Sequence, residues 1–342
     1  MTIHGYRKES RSLMVLAATG LAVLIVALLP WTACQAAIAA EGHFQRTLQV
    51  TGPVDLSIQS GSGSITVRTG SDSTVQVEGT IRASNGFLSK DDAKEKVAYL
   101  ELHPPTEQNG NVIKIGHFTE SRMQQNVSIS YELVVPANTQ LRSRTGSGKQ
   151  TFDGISGPLE TSTGSGNISA SNIGAAVQAT TGSGNIFLEN VKGEVRTSTG
   201  SGEIRAIGVE GSVRTSTGSG SITVEQTGVA DARATTGSGN ITLKNVRGLV
   251  QASSASGSIT AEGGGTSPWH LQTASGSVSV RVPPSVGFDL HAHTVSGRIS
   301  TDRSLTIQGA ISKREITGKA GTGGFRLDVS TVSGNIHIDS QA

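Results

Sequence analysis

Three arginines that recur at one repeat position are the residues best spaced for ligand binding: Arg196, Arg214 and Arg233. Their separations of 18 and 19 residues match the period of the surrounding repeat, and Arg142 occupies the same position closer to the N-terminus. A guanidinium presents paired N–H donors to carboxylate, sulfate or phosphate groups, so stacked arginines would form a basic stripe suited to an anionic polysaccharide. The competing interpretation is an ordinary polar outer face, partly balanced by Glu194 and Glu210.

A segment near the C-terminus places three possible metal ligands at alternate positions: Asp289, His291 and His293. Alternate residues of a strand face the same side. The residues between them match the apolar columns of the repeat, at Phe288, Leu290 and Ala292. The polar set is therefore expected to face solvent, and no metal site is predicted; weak metal ligation is the alternative.

The Thr-Gly-Ser-Gly turns carry no recognisable cofactor chemistry. They lack the Gly-Lys-Ser/Thr ending of a phosphate-binding loop and the aspartate that follows the glycines of calcium-binding coils. Their threonines resemble the ladders of ice-binding solenoids, but parity assigns them to the interior. The acidic residues are scattered and no Ser-His-Asp set is evident, so the sequence predicts a protein without enzymatic activity, metal or cofactor. Sugar binding usually uses aromatic platforms, and Phe187 is the one clear candidate on the outer face.

A repeat of about eighteen residues supplies the elements that would position these side chains. Its anchor is the second glycine of each Thr-Gly-Ser-Gly turn or degenerate copy: Gly148, Gly166, Gly184, Gly202, Gly220, Gly239, Gly257, Gly276, Gly297 and Gly334. An aliphatic residue stands two positions later, as in Ile186, Ile204 and Ile222. Apolar and polar residues alternate within each repeat, which predicts short half-buried strands. Two short strands are unstable alone, so the repeats are expected to stack into an all-β solenoid with coils of about 18 residues, each directly over the one before.

The bulk composition agrees with a thin repetitive core. The 342 residues include 44 glycines, only 16% charged residues and 4% aromatics. A formal net charge of +2 gives no strong field toward nucleic acid or an anionic membrane, and nucleic acid is not an expected partner. The one cysteine, Cys34, excludes an intrachain disulfide.

The first 40 residues have the features of an export segment. Basic residues precede an apolar run from Leu13 to Leu29, and Ala37-Ile38-Ala39 forms a small-residue cleavage motif. Three fates stay open: a cleaved signal peptide, an uncleaved membrane anchor or lipoprotein processing at Cys34. Each places the rest of the chain outside the cytoplasm, in the periplasm or cell envelope.

The remaining chain divides into two parts. Residues 41–140 are expected to form a β-rich cap that contains one coil near 56–67, because an open sheet end invites aggregation. Residues 141–342 are expected to form the solenoid, with an insertion at 302–324 that loops out or caps the C-terminal end.

A family resemblance rests on the strand Ile129–Pro136 and on the Gly-anchored ladder that ends in Thr331–Ile336. These segments resemble the bacterial family labelled putative adhesin, a domain of unknown function in envelope proteins. The resemblance implies a right-handed, single-stranded β-helix in the envelope. The expected function is a non-enzymatic adhesin or interaction scaffold that contacts envelope or cell-surface components. The alternative is a solenoid that binds or degrades anionic polysaccharide.

Overall fold

The computed structural model describes residues 38–85, 92–118, 121–307 and 312–340, and this part of the chain is almost entirely β-structure. Its strands are β1 (Ile38–Gln49), β2 (Val54–Ser62), β3 (Ile65–Thr69), β4 (Thr74–Ser84), β5 (Thr106–Asn109), β6 (Val112–Ile115), β7 (Val127–Val135), β8 (Thr139–Ser147), β9 (Gln150–Asp153), β10 (Leu159–Ser165), β11 (Ile168–Ile173), β12 (Val177–Ser183), β13 (Ile186–Val191), β14 (Val195–Ser201), β15 (Ile204–Val209), β16 (Val213–Ser219), β17 (Ile222–Gln226), β18 (Ala232–Ser238), β19 (Ile241–Lys244), β20 (Val250–Ser256), β21 (Ile259–Glu262), β22 (Trp269–Ser275), β23 (Val278–Val282), β24 (Phe288–Ser296), β25 (Ile299–Thr301), β26 (Leu305–Ile307), β27 (Glu315–Ala320), β28 (Phe325–Ser333) and β29 (Ile336–Ser340). Helix α1 spans Asp92–Leu102, and a 3₁₀ turn spans Ser121–Gln124.

The strands form two long sheets that run along the stack. The first sheet has the order β1-β4-β7-β3-β9-β11-β13-β15-β17-β19-β21-β23-β29-β25. The second has the order β26-β27-β24-β28-β22-β20-β18-β16-β14-β12-β10-β8-β2-β6-β5. Successive strands of the repeat alternate between the sheets, so each coil contributes one strand to each.

The central coils pair in parallel and in constant register. Ile186 pairs with Ile204, and Ile204 pairs with Ile222. All three side chains are fully buried. The expected vertical rows of like residues are therefore confirmed in this region. The alternation of apolar and polar residues along each strand explains this burial, because the inward-facing residues of both sheets meet in one continuous apolar core.

The anchor glycines let the coils approach closely at one corner. Gly202 has a φ of +152°, and a Cβ there would collide with the carbonyl group of Gly184 in the preceding coil. Glycine tolerates this backbone conformation because it has no Cβ. A buried threonine three residues before the anchor glycine adds a bond between coils: Thr217, three residues before Gly220, donates from Oγ1 to the carbonyl of Gly202 in the preceding coil at 3.1 Å.

The N-terminal end is covered by antiparallel structure. Strand β4 pairs antiparallel with both β1 and β7, and β7 pairs in parallel with β3. The strand expected before Pro136 is present as β7, and β2 and β3 form a coil around Gly63. Strand β1 begins at Ile38, three residues before the boundary predicted for the folded part.

Residues 1–37 of the export segment predicted at 1–40 lie outside the described residues. Within the described part of the chain, the only α-helix is α1, which falls short of the length and hydropathy that a membrane span requires.

At the C-terminal end, the expectation that coils stack in sequence order is wrong. Strand β28 lies between β22 and β24, and β29 lies between β23 and β25. The last coil is therefore inserted between two coils that precede it in sequence. The predicted insertion, 302–324, contains β26 and β27, and β27 pairs antiparallel with β24 at the edge of the second sheet. Every coil satisfies the same apolar columns, so the sequence pattern does not specify which coil stacks on which.

Candidate ligand-binding surface

The three predicted arginines lie side by side on the outer face of the second sheet. Arg196 on β14 pairs in register with Arg214 on β16, which pairs with Arg233 on β18. All three are exposed, whereas their neighbours along each strand are buried. Register partners on adjacent strands stand about 4.8 Å apart. We call this row the arginine stripe.

A row of hydroxyl groups runs parallel to the arginine stripe. Ser198 pairs with Ser216, which pairs with Thr235, each two residues beyond a stripe arginine and on the same face. The surface thus combines a line of guanidinium donors with a line of small hydroxyl donors and acceptors.

The stripe is not uniformly charged, because its first arginine, Arg196, forms an ion pair with Glu194. Arg196 Nε donates to Glu194 Oε1 at 2.8 Å. This hydrogen bond, with weaker attraction from Arg196 and Arg214, lowers the pKa of the Glu194 carboxyl below its usual value. Within the described part of the chain, Arg214 and Arg233 form no ion pair. The predicted counter-charge Glu194 is thus a direct partner of one stripe residue.

A shallow groove of about 290 Å³ extends the stripe toward the N-terminal end. The small or short residues Pro158 and Ala176 line it, as do Arg142 and Arg196. Arg142 forms an ion pair with Asp55 at 3.2 Å. The sequence indicated Arg142 but not the groove, because the groove arises where several coils carry small residues side by side.

The alternating set near the C-terminus is placed as expected on the outer face of β24. His291 and His293 are exposed, while Leu290 and Ala292 are buried. His291 Nδ1 lies 3.2 Å from Thr317 Oγ1, and Asp289 lies 3.9 Å from Lys319 Nζ. Among the residues that the structure describes, no group of three or more His, Cys, Asp or Glu residues could hold a metal ion.

The other candidate motifs occupy structural positions. The turn threonines are buried: Thr181, Thr199, Thr217 and Thr236 are 2–3% exposed, and each donates to an anchor-glycine carbonyl at 2.9–3.1 Å. They are unavailable for binding an ice surface or a ligand. Phe187 is 36% exposed on the outer face of the first sheet, on the opposite side of the coil from the arginine stripe.

Comparison with known proteins gives matches of low sequence identity. No curated protein matches the chain. Solved structures that match include a putative cell adhesion protein from Clostridium sporogenes (10% identity, covering 88% of this chain and 100% of that one, TM-score 0.20). Others are a putative adhesin from Bacteroides fragilis (10% identity, 88% and 98% coverage, TM-score 0.29) and a putative lipid binding protein from Parabacteroides distasonis (11% identity, 88% and 97% coverage, TM-score 0.37).

The chain also matches a family model over most of its length. The match spans residues 54–339, from the first strand of the first coil to the last strand of the inserted one. That range contains the arginine stripe, the groove and both ends of the stack. The chain therefore belongs to the Toastrack DUF4097 family, a domain of unknown function.

Proposed function

We propose that this protein is a non-enzymatic envelope protein whose second sheet binds anionic polysaccharide through the arginine stripe. The observation that carries the proposal is the in-register alignment of Arg196, Arg214 and Arg233 on one exposed face. The proposal includes an extracytoplasmic location, supported by the hydrophobic N-terminal sequence. It also takes the stack as a right-handed helix, as the family resemblance implies, with coils of about 18 residues. The 18-residue offset between partners such as Ile186 and Ile204 supports that coil length.

Like charges held side by side favour a polyanion over a single small anion. Three guanidinium groups carried by strands about 4.8 Å apart repel one another, and a ligand with carboxylate or sulfate groups along its length relieves that repulsion at each step. The paired strands fix the backbone spacing before binding, so less backbone entropy is lost on association. The hydroxyl row and the groove extend the contact surface beside and beyond the charges.

The experiment is calorimetric titration with sulfated and uronate-containing oligosaccharides chosen from an anionic glycan array. The test variant replaces Arg196, Arg214 and Arg233 with Gln. A matched control replaces Arg68, Arg205 and Arg298, three exposed arginines associated with the other sheet, so that both variants lose the same net charge.

We expect saturable binding that weakens by roughly tenfold or more in the stripe variant and changes little in the control. Because the contacts are exposed and charged, added salt should weaken binding. Equal losses in the two variants would indicate non-specific attraction. No binding of any anionic glycan by the unmodified protein would remove the proposal.

A further inference from the structure

A cavity of about 400 Å³ opens near the N-terminal end of the stack, separate from the arginine stripe. Its wall is built from Phe118, Val127, Ile129 and the ring of Tyr131. Apolar walls with a few polar groups, at a volume of several hundred Å³, are typical of sites for small organic ligands. The strands that line it, β2, β7 and β8, are paired to the rest of the stack on defined registers. The strand side of the cavity is therefore held in place by the sheet pairing.

The cavity wall contains a polar group without a partner. Tyr131 is 1% exposed, and within the described part of the chain its hydroxyl has no hydrogen-bond partner. Buried hydroxyl groups are almost always bonded, because an unbonded one loses its interaction with water and gains nothing in return. A ligand oxygen that accepts a hydrogen bond from Tyr131 would remove this cost.

Two features lie at the mouth of the cavity: the guanidinium of Arg144 and an open space beside Gly61. Arg144 lines the cavity and forms an exposed ion pair with Glu160 at 3.2 Å. Gly61 also lines it, and a Cβ added at Gly61 would meet no atom within 4 Å. A guanidinium at the rim of an apolar cavity favours a ligand with one anionic end, because its exposed partner Glu160 can be exchanged for a ligand carboxylate at small cost.

We propose that this cavity binds a small amphipathic molecule with an apolar body and one anionic head. The apolar body lies against Phe118, Val127 and Ile129. An oxygen of the ligand accepts a hydrogen bond from Tyr131, and the anionic head contacts Arg144. The site differs from the arginine stripe in ligand class, since it takes a single molecule and not a polymer.

The main test uses sodium decanoate as the probe, with binding measured by calorimetry and by displacement of the fluorescent dye 1-anilinonaphthalene-8-sulfonate. Gly61→Phe should fill the mouth and reduce decanoate affinity by roughly tenfold or more. Gly52→Phe is the matched control, because Gly52 lies outside the cavity and a Cβ there makes only an ordinary contact at 3.5 Å with Asn111. Circular dichroism confirms that both variants keep the β-structure.

Two further variants separate the contributions of the polar groups. Tyr131→Phe should weaken decanoate binding by roughly three- to tenfold while the fold is retained. Arg144→Gln should weaken decanoate binding but leave the binding of decanol, its neutral analogue, unchanged. Absence of decanoate and dye binding in the unmodified protein would overturn the proposal, as would equal binding by the Gly61→Phe and Gly52→Phe variants.

Discussion

Val278 and Ile336 lie opposite each other on the neighbouring parallel strands β23 and β29. On its other side, Ile336 pairs with Ile299 of β25. The last coil of the chain thus separates two coils that are consecutive in the repeat. The coil 288–301 completes its backbone pairing with the stack only after the last coil is inserted, so the C-terminal end closes by a long-range step.

Engineered disulfides test this order of coils. Ser279→Cys with His337→Cys joins register partners on adjacent strands, whose Cα separation of about 4.8 Å suits a disulfide. Ser279→Cys with Ser300→Cys joins residues two strand spacings apart, roughly 9.6 Å, which is beyond disulfide range. In a Cys34→Ser background, we expect rapid oxidation of the first pair and not of the second, measured by mass spectrometry. The reverse result would show sequential stacking.

The sequence predicts the coils better than it predicts their order. The apolar columns and anchor glycines specify strand position and register, since a side chain one residue out of register would face solvent. The order is not specified, because Leu290 and Leu327 occupy the same column and either suits the neighbour Trp269. In the structure it is Leu327 that pairs with Trp269. The antiparallel strands β26 and β27, which no repeat pattern predicts, cover the coil that ends the stack.

The candidate sites were predictable to different degrees. The arginine stripe follows from periodicity alone, because residues one period apart become neighbours in a stack. The ion pair joins Arg196 on β14 to Glu194, which directly precedes that strand. From the sequence alone, this direct contact could not be distinguished from general charge balance. The Tyr131 cavity has no sequence signal, since its wall combines residues from β7 with residues of the loop before the 3₁₀ turn.

Two buried threonines provide a matched test of the coil-to-coil hydrogen bonds. Thr217 Oγ1 donates to the Gly202 carbonyl, whereas Thr197 Oγ1 is buried without a partner in the described part of the chain. Thr217→Val should therefore lower the free energy of unfolding by about 1 kcal/mol. Thr197→Val removes a hydroxyl that makes no bond, so it should leave stability unchanged or raise it slightly. Urea titration of both variants checks the difference, and equal destabilisation would show that these hydroxyls contribute only packing.

The ion pair at the start of the stripe predicts how acidity affects polysaccharide binding. Glu194 has a pKa lowered chiefly by its hydrogen bond to Arg196, so it is ionised at neutral pH and occupies that guanidinium. As the pH falls through the lowered pKa, the carboxyl gains a proton and Arg196 becomes available. Affinity for a sulfated oligosaccharide, which keeps its charge in acid, should therefore increase only below the usual range for glutamate.

A neutral-pH substitution isolates the same effect from acid-induced unfolding. Glu194→Gln should increase the affinity for a sulfated oligosaccharide at pH 7 by a few-fold. The substitution releases Arg196 and removes a carboxylate that repels the negatively charged sulfate groups of the ligand. The control is Glu189→Gln, an exposed carboxylate on the first sheet. If both substitutions raise the affinity equally, net charge and not the local pair sets the binding strength.

Tyr131 should make the fold sensitive to alkaline pH. Burial raises the pKa of its hydroxyl well above the ordinary value of 10.0, so the folded protein keeps this proton at a pH where the unfolded chain loses it. The contribution of Tyr131 to the free energy of unfolding should therefore be constant below about pH 10 and fall as the pH rises beyond that value. Tyr131→Phe should remove this contribution to the pH dependence and, because the hydroxyl is unbonded, leave neutral-pH stability unchanged or higher by up to about 1 kcal/mol. Urea titrations of the two proteins between pH 7 and pH 11 measure both quantities. A marked loss of stability in Tyr131→Phe at pH 7 would mean that the hydroxyl has a partner in the folded protein, and it would remove the basis for a ligand bond at this group.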